Sequence, residues 1–423
     1  MTTDTQTNSD TSTQSQISNP NQLLEIYNLK KYFAVEGGVI QRMFTRTEDH
    51  VHAVDDITFS INQGDIFCLV GESGCGKTTV ARVLLGLEEP TAGIFKWKGK
   101  EISYKELRPI KENIRTQIIF QNPYSALNPR MKLGDAVLHP LIIHKRISDP
   151  KTKEKVRHTS IAELLLLFGT LLMIGLLFLG SLDIALQIPL TPTLVVETPL
   201  SFLAGLIFTP TLLIYLYYAQ IKHRNVADTD VLNLFEEIGL VPALQYYRKY
   251  PHEVSGGECQ RVSIARSLIL NPDLVIADEP TSMLDVSLRA GILDLLKSLQ
   301  EKHNLSILFI THDLATARHF GDRIGVMYVG KLVEMGNIDG IFKRSLHPYT
   351  KALIEAIPTP IPEEKTYDLP KGEVADAINP PSGCRFHPRC RYADSTRCVT
   401  EEPKLRELSP DHFVACHYPL EKE

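Results

Sequence analysis

The sequence predicts an α/β fold built around a phosphate-binding loop, and three stretches carry that prediction. DIFCLVGESGCGKTTVARVLLGL, residues 65–87, reads as an apolar strand, a glycine-rich turn and a helix, with GESGCGKT at 71–78 fitting G-x-x-x-x-G-K-[ST]. LVIADEP at 274–280 is a buried-strand pattern that stops abruptly in two carboxylates. SILFITHD at 306–313 repeats the design, with a histidine just beyond the apolar run.

Each element has a chemical reading. The loop glycines Gly71, Gly74 and Gly76, with Ser73 among them, let backbone N–H groups close around phosphate oxygens at a helix amino terminus. Lys77 would reach the β- and γ-phosphates and Thr78 would hold Mg²⁺. An acid at the end of an apolar strand is costly unless it faces a polar site. Asp278 therefore suits a Mg²⁺ ligand, directly or through water, and Glu279 suits a base that activates water. His312 taken alone fits a satisfied structural histidine as well as a site residue. In PHEVSGGECQRVSIARSL, residues 251–268, the run Ser255, Gly256, Gly257 precedes apolar residues at helical spacing. It is a second place where helix-end N–H groups can meet phosphate, although Ser-Gly-Gly by itself is an ordinary loop.

Composition bounds the rest. A chain of 423 residues has room for two or three domains. A net charge of −5 excludes a nucleic-acid binder held by a strong basic field. Residues 1–20 are polar, cannot repay the entropy of ordering, and read as a disordered tail. They lack the basic start and apolar middle of a secretory signal, so the amino terminus is expected in the cytoplasm.

In this order the motifs resemble the ATPase subunit of ATP-binding cassette (ABC) transporters, over 21–157 and 222–345. The phosphate loop is followed by IIFQNP with Gln121, then VSGGE, LVIADEP, SMLD with Asp285, and His312. The resemblance implies a RecA-like P-loop core with antiparallel β and helical subdomains, and head-to-tail pairing of two such subunits around ATP. It further implies that Lys77, Thr78 and Thr79 bind phosphate and Mg²⁺, and that Asp278 holds the metal. Gln121 would sense the γ-phosphate, and is expected among the Mg²⁺ ligands; Glu279 would polarise the attacking water and His312 orient the γ-phosphate. Ser255 and Gly257 would touch the partner's ATP, and Asp285 belongs to the same nucleotide-binding set. The adenine is expected on an aromatic about forty residues before the lysine, where KKYF offers Tyr32 and Phe33; the spacing favours Phe33, with a core aromatic as the alternative. The signature reads VSGGE rather than the commoner LSGGQ, and the Cys259 that follows has no role legible in the sequence.

FQNPYSALNPR, ADEPTSMLDVS and HPYTKALIEAIP narrow the resemblance to the ATPases of oligopeptide, dipeptide and nickel importers. The implied partners are a second, non-identical ABC ATPase subunit, two permease subunits and an extracytoplasmic solute-binding protein, with no nucleic acid. The implied place is the cytoplasmic face of the inner membrane. Two rival functions remain: a redox-sensing regulatory subunit that gates a partner's ATPase, and a soluble ABC protein outside transport.

Residues 346–423 form an extension in which Cys384, Cys390, Cys398 and Cys416 are separated by five, seven and seventeen residues. Persistent disulfides are unusual in the cytoplasm, and four thiolates in a short loop-rich segment suggest a metal that staples it. The spacing lacks the paired C-x-x-C usual in zinc sites. The resemblance implies a [4Fe–4S] cluster; zinc, with His387 and His417 in reserve, and unliganded thiols are the alternatives.

The family pattern is interrupted by about sixty extra residues at 158–221, a stretch with no Lys or Arg. Residues 164–182 and 198–221 are uncharged runs of nineteen and twenty-four, long enough as helices to span a hydrocarbon core of about 30 Å. Lys151, Lys153, Lys155 and Arg157 precede the first, and Lys222 and Arg224 follow the second, while the connection carries only Asp183 and Glu197. That is the positive-inside pattern of a transmembrane hairpin in contact with lipid, both ends in the cytoplasm. Buried core helices are the alternative.

Overall fold

The computed structural model describes residues 21–35, 50–104, 116–144, 228–358 and 372–420, together with two strands at Ala185–Thr191 and Leu194–Pro199. The chain divides into two compact units: one of Met1–Pro109, Ile114–Gln121 and Asp273–Glu423, the other of Ile110–Asn113 and Asn122–Pro272. The segments 21–157 and 222–345 are thus distributed over both units, and the extension from 346 belongs to the first.

The first unit holds two sheets. Strands β1 (Gln22–Ala34), β2 (His50–Asn62), β4 (Ala92–Trp97) and β5 (Lys100–Ile102) form an antiparallel sheet in the order β2-β1-β4-β5. The larger sheet uses β3 (Ile66–Val70), β6 (Thr116–Ile119), β9 (Leu274–Asp278), β10 (Ser306–Thr311), β11 (Arg323–Tyr328) and β12 (Lys331–Asn337). Strands β13 (Arg406–Ser409) and β14 (His412–Val414) complete it, in the order β13-β14-β12-β11-β3-β10-β9-β6. Strands β11, β3, β10, β9 and β6 run parallel. A parallel sheet is covered on both faces, which explains why IFCLV and SILFIT are buried along their whole length rather than alternating. The helix Lys77–Leu84 turns Val80, Ala81, Val83 and Leu84 into a core shared with Phe67, Leu69 and Leu308.

The tail is built into this unit. Strand β14 pairs antiparallel with β12, setting Glu334 opposite Val414. Glu334 is fully buried, and its carboxylate accepts from Leu346 N (2.6 Å), His347 N (3.0 Å) and His412 Nε2 (2.8 Å). One buried carboxylate therefore clamps β12, the chain entering the helix Pro348–Glu355, and β14.

The second unit is helical where described. Helices Leu133–His144, Ala243–Arg248 and Gly256–Leu268 pack together, with Val137, Phe235 and Ile264 fully buried. Gly134 is obligatory there, because a Cβ would stand 2.3 Å from the Tyr247 ring. The same unit contains β7 (Ala185–Thr191) and β8 (Leu194–Pro199), an antiparallel hairpin that places Gln187 opposite Glu197. This hairpin is the acidic connection between the two expected apolar spans. The spans, 164–182 and 200 onwards, lie outside the described residues. Strand β8 runs through Thr198 and Pro199, so the second span expected at 198–221 loses its first two residues to a β-rich LVVETP segment. Among the described residues no helix is long and apolar enough to cross a membrane.

Removing the clamp isolates its contribution. Glu334→Ala would leave two buried amides and an imidazole without their acceptor, a loss of about 3–5 kcal/mol. Its thermal unfolding midpoint should fall by several degrees, with earlier proteolytic cleavage of the tail than of the 66–97 region; an unchanged midpoint would show that the clamp is dispensable.

Candidate functional site

Four neighbouring strands, β3, β10, β9 and β6, deliver polar residues from the same edge of the sheet. In open α/β sheets this carboxyl-end edge is where ligands bind. After β3 the chain turns through Gly71–Gly76 into the helix Lys77–Leu84. Gly76 caps that helix at φ 107°, and a Cβ on it would meet Ala53 O at 2.0 Å, so only glycine fits. Ser73 and Gly74 lie exposed at the loop tip, and around Gly74 a Cβ would meet nothing within 4 Å. The rim thus stays open to an incoming group while the root of the loop is packed.

Lys77 is buried, and its ammonium donates to the carbonyls of Gly71 (2.7 Å) and Glu72 (3.0 Å). The cation is therefore stationed inside the loop. Thr78 is exposed and its hydroxyl lies 3.4 Å from Asp278 Oδ1; Thr79 follows, half-buried. Burial holds the Asp278 carboxyl above the usual carboxylate range, against the opposing hydrogen bond from Thr78. Two hard oxygen donors at this spacing fit a Mg²⁺ ion, whose charge would reverse that shift.

Glu279 has φ 46°, an uncommon conformation for a non-glycine residue and one that turns its side chain off the strand end. Its amide donates to Ile310 O on β10 (2.9 Å). Its carboxylate accepts from Gln121 Nε2 (2.9 Å) and lies 3.1 Å from His312 Nδ1. Three residues separated by 158 and 33 positions in sequence thus meet at one carboxylate. Asp285 is exposed at the start of the helix Val286–His303.

Tyr32 and Phe33 stand at the end of β1. Tyr32 OH donates to Asp55 Oδ1 (2.6 Å), and the ring packs on His52 at 4.4 Å. Phe33 is half-buried and its ring carries the Lys31 ammonium 4.6 Å from the centroid. Of the two rings, Phe33 is the one not drawn into the Asp55 network.

In the helical unit, Ser255 is exposed and caps the helix Gly256–Leu268, its hydroxyl accepting from Glu258 N at 3.3 Å. Gly256 and Gly257 form the first turn, Gly257 buried. Glu258 accepts from Ser255 N (2.7 Å) and from Tyr246 OH (2.6 Å); the Tyr246 hydrogen bond is the main reason its carboxyl lies below the usual range. Glutamate in VSGGE is thus the acid of a capping box. Cys259 is fully buried and its thiol is pushed up to about 11 by burial, the signature of an inert core cysteine.

All four tail cysteines line one small cavity, beside His347 and Phe386. Burial is the first cause pushing the Cys384 thiol up to about 11 and Cys416 to about 12, and it raises Cys390 as well. Among the described residues no group of three or more His, Cys, Asp or Glu side chains is gathered tightly enough to be a formed metal site. The donor set fits an iron–sulfur group in number and chemistry, while the cavity brings the cysteines to a common space rather than to ligand distances. His387 Nδ1 lies 2.9 Å from Cys384 O, and His417 Nε2 lies 2.8 Å from Glu401 O, so both reserve histidines are already engaged.

Sequence reasoning missed the residues that join this tail to the phosphate loop. Arg389 donates to both oxygens of Glu72, at 2.9 and 3.2 Å, and Tyr349 OH accepts from Glu72 N at 3.1 Å. Arg385 binds Asp55 and Val329 O, and His52 N donates to Ala377 O at 2.9 Å. Glu72 occupies a free position of the loop motif, so nothing in the pattern singles it out.

A glycine-capped lysine loop, a paired threonine and aspartate, and a carboxylate held at the ends of parallel strands define a P-loop nucleotide hydrolase. The family model described as "ABC transporter" matches residues 54–282, and that described as "Oligopeptide/dipeptide transporter, C-terminal region" matches 333–398. The oligopeptide transport ATP-binding protein AppF of Bacillus subtilis (strain 168) is 34% identical over 406 residues, 94% of this chain and 98% of that protein. The oligopeptide transport ATP-binding protein OppF of Escherichia coli (strain K12) is 36% identical over 401 residues, 93% of this chain and 95% of that protein. The dipeptide transport ATP-binding protein DppF of Haemophilus influenzae is 34% identical over 399 residues, 94% of this chain and 96% of that protein. The chain belongs to the ABC transporter family, on the side of its ATPases.

The Arg389–Glu72 pair yields a charge-rescue prediction. In Arg389→Gln the Glu72 carboxylate is left unneutralised in the phosphate loop, and ATP affinity should fall about tenfold, or ~1.4 kcal/mol. The double variant Glu72→Gln/Arg389→Gln should recover most of it. Equal affinities for all three proteins in equilibrium binding would separate the tail from the nucleotide site.

Proposed function

We propose that the chain is the ATP-hydrolysing subunit of an importer for oligopeptides or dipeptides. The observation that carries this reading is the Glu279 carboxylate held between Gln121 and His312, beside Lys77, Thr78 and Asp278, in a chain with a peptide-transporter C-terminal region. Lys77, leaving its loop carbonyls, would neutralise the β- and γ-phosphates, and the amides from Gly71 to Thr79 would surround them. Thr78 and Asp278, with Gln121, would hold Mg²⁺, which supplies charge stabilisation to the phosphates. Phe33 would stack on the adenine.

Hydrolysis follows from these groups. Glu279 accepts a proton from water as its oxygen bonds to the γ-phosphorus, and the bond to the bridging oxygen breaks with its electron pair left on ADP. His312 and Gln121, released from Glu279, orient the γ-phosphate and the water. Such transfer needs mainly positioning and charge stabilisation. Ser255, Gly256 and Gly257 would complete the site of a second, non-identical ABC ATPase subunit. Asp285 and the exposed Met283, Val286 and Leu288 around it suit that partner's surface. Two permease subunits, docked at the cytoplasmic face of the inner membrane, and an extracytoplasmic binding protein would carry the solute.

Two further features complete the reading. The apolar runs at 164–182 and 200–221 would cross the bilayer as helices, an anchor supported by their length, the flanking cations and the acidic connection. Cys384, Cys390, Cys398 and Cys416 would hold a [4Fe–4S] cluster, which supplies a one-electron redox centre and a covalent staple to a tail with little core of its own.

Glu279→Gln should retain ATP binding, lower steady-state hydrolysis at least about 100-fold, and abolish peptide uptake with the transporter still assembled. Undiminished uptake would instead favour the redox-sensing regulatory role. For the anchor, alkaline carbonate should leave the intact chain in the membrane pellet when it is expressed without permeases, and deleting 160–221 should release it. Release of the intact chain would end the hairpin reading.

A further inference from the structure

His347 is a buried tail residue with one ring nitrogen left without a partner. Its ring is 1% exposed and lines the cavity shared by Cys384, Cys390, Cys398 and Cys416. Its Nδ1 lies 3.1 Å from Tyr349 N, capping the helix Pro348–Glu355. An amide nitrogen can only donate, so Nδ1 is the acceptor and the neutral ring carries its proton on Nε2. That Nε2 is buried and has no hydrogen-bond partner. A buried donor without an acceptor is costly, and its persistence beside a cavity of sulfur donors calls for an acceptor that arrives with a bound group.

We infer that His347 Nε2–H donates a hydrogen bond to a sulfur of the group held by the four cysteines, and so tunes its reduction potential. The inference rests on the cluster reading above. His347 acts as a donor rather than as a ligand, because coordination through Nε2 would move the proton to Nδ1 and break the helix cap. Four thiolates already meet the ligand count of a [4Fe–4S] cluster. A hydrogen bond to sulfur stabilises the more negative, reduced cluster, and it acts strongly in a poorly solvated cavity. His347 is thus a positioning and tuning residue that does not touch the nucleotide.

The experiment compares three full-length proteins purified without oxygen: the parent, His347→Asn and His347→Gln. Asparagine keeps an acceptor near the Nδ1 position and withdraws the donor. Glutamine can place an N–H near the Nε2 position and gives up the cap. Iron, acid-labile sulfide and zinc are measured first, and then the midpoint potential by redox titration followed optically and by electron paramagnetic resonance. With His347→Asn the ratio of reduced to oxidised cluster at a fixed potential should fall roughly tenfold, a shift of about 59 mV for one electron. His347→Gln should lie closer to the parent. Equal potentials in all three, with iron and sulfide intact, would overturn the role of His347 and leave the cluster standing. A parent protein with stoichiometric zinc and no iron would overturn the cluster reading, and the tuning role with it.

Discussion

A parallel sheet buried on both faces can carry polar side chains only where its strands end, and β3, β10, β9 and β6 end at one edge. This constraint gathers the site. Each strand spends its length on burial and delivers its chemistry in the next few residues: the lysine loop after β3, His312 after β10, Asp278 and Glu279 at the close of β9, Gln121 after β6. Neighbouring strand ends are about 5 Å apart in the hydrogen-bonding direction, so residues far apart in sequence reach one carboxylate without any special folding of the loops. The left-handed backbone at Glu279 is the local strain this arrangement tolerates, and the hydrogen bond its N–H donates to Ile310 O holds it.

Much of this was legible because the signals are local. A glycine turn between an apolar run and a helix needs no tertiary information, and neither does an apolar strand that stops in Asp-Glu or Thr-His. The role of Glu258 is also intelligible locally, through a capping box that spans the four residues from Ser255 to Glu258. What pattern reading could not supply is pairing across distance. Glu72 and Arg389 are 317 residues apart, and Asp55 and Arg385 are 330 apart, each an ordinary charge in its own neighbourhood. Glu334 sits in KLVEMGN, where alternation alone would turn it to solvent. Its burial depends on β14 closing over β12, and on two amides and an imidazole that arrive from later in the chain.

The insert shows the same limit from another side. The apolar length and flanking charges of 158–221 predict two spans, and say of the connection between them only that its charges, Asp183 and Glu197, are acidic. That connection is a β-hairpin in which LVVETP, with two valines and a threonine, supplies the residues that favour extended backbone.

The tail is where structure adds most to the reading of function. Tyr328, Tyr349 and Phe386 pack with ring centroids 4.8–5.3 Å apart, and this aromatic nucleus lies between the cysteine loop and the phosphate loop. Phe386 lies between Cys384 and Cys390, and Arg389 directly precedes Cys390, while Tyr349 and Arg389 both bind Glu72. Any group that fixes the cysteine loop therefore also fixes two contacts to the loop that carries Lys77. By linkage, if binding at one place changes affinity at the other through these shared contacts, the effect is reciprocal and of the same factor. The tail and the phosphate loop are thus joined through Glu72, and a change in the cysteine loop is expected to be felt at the loop that carries Lys77.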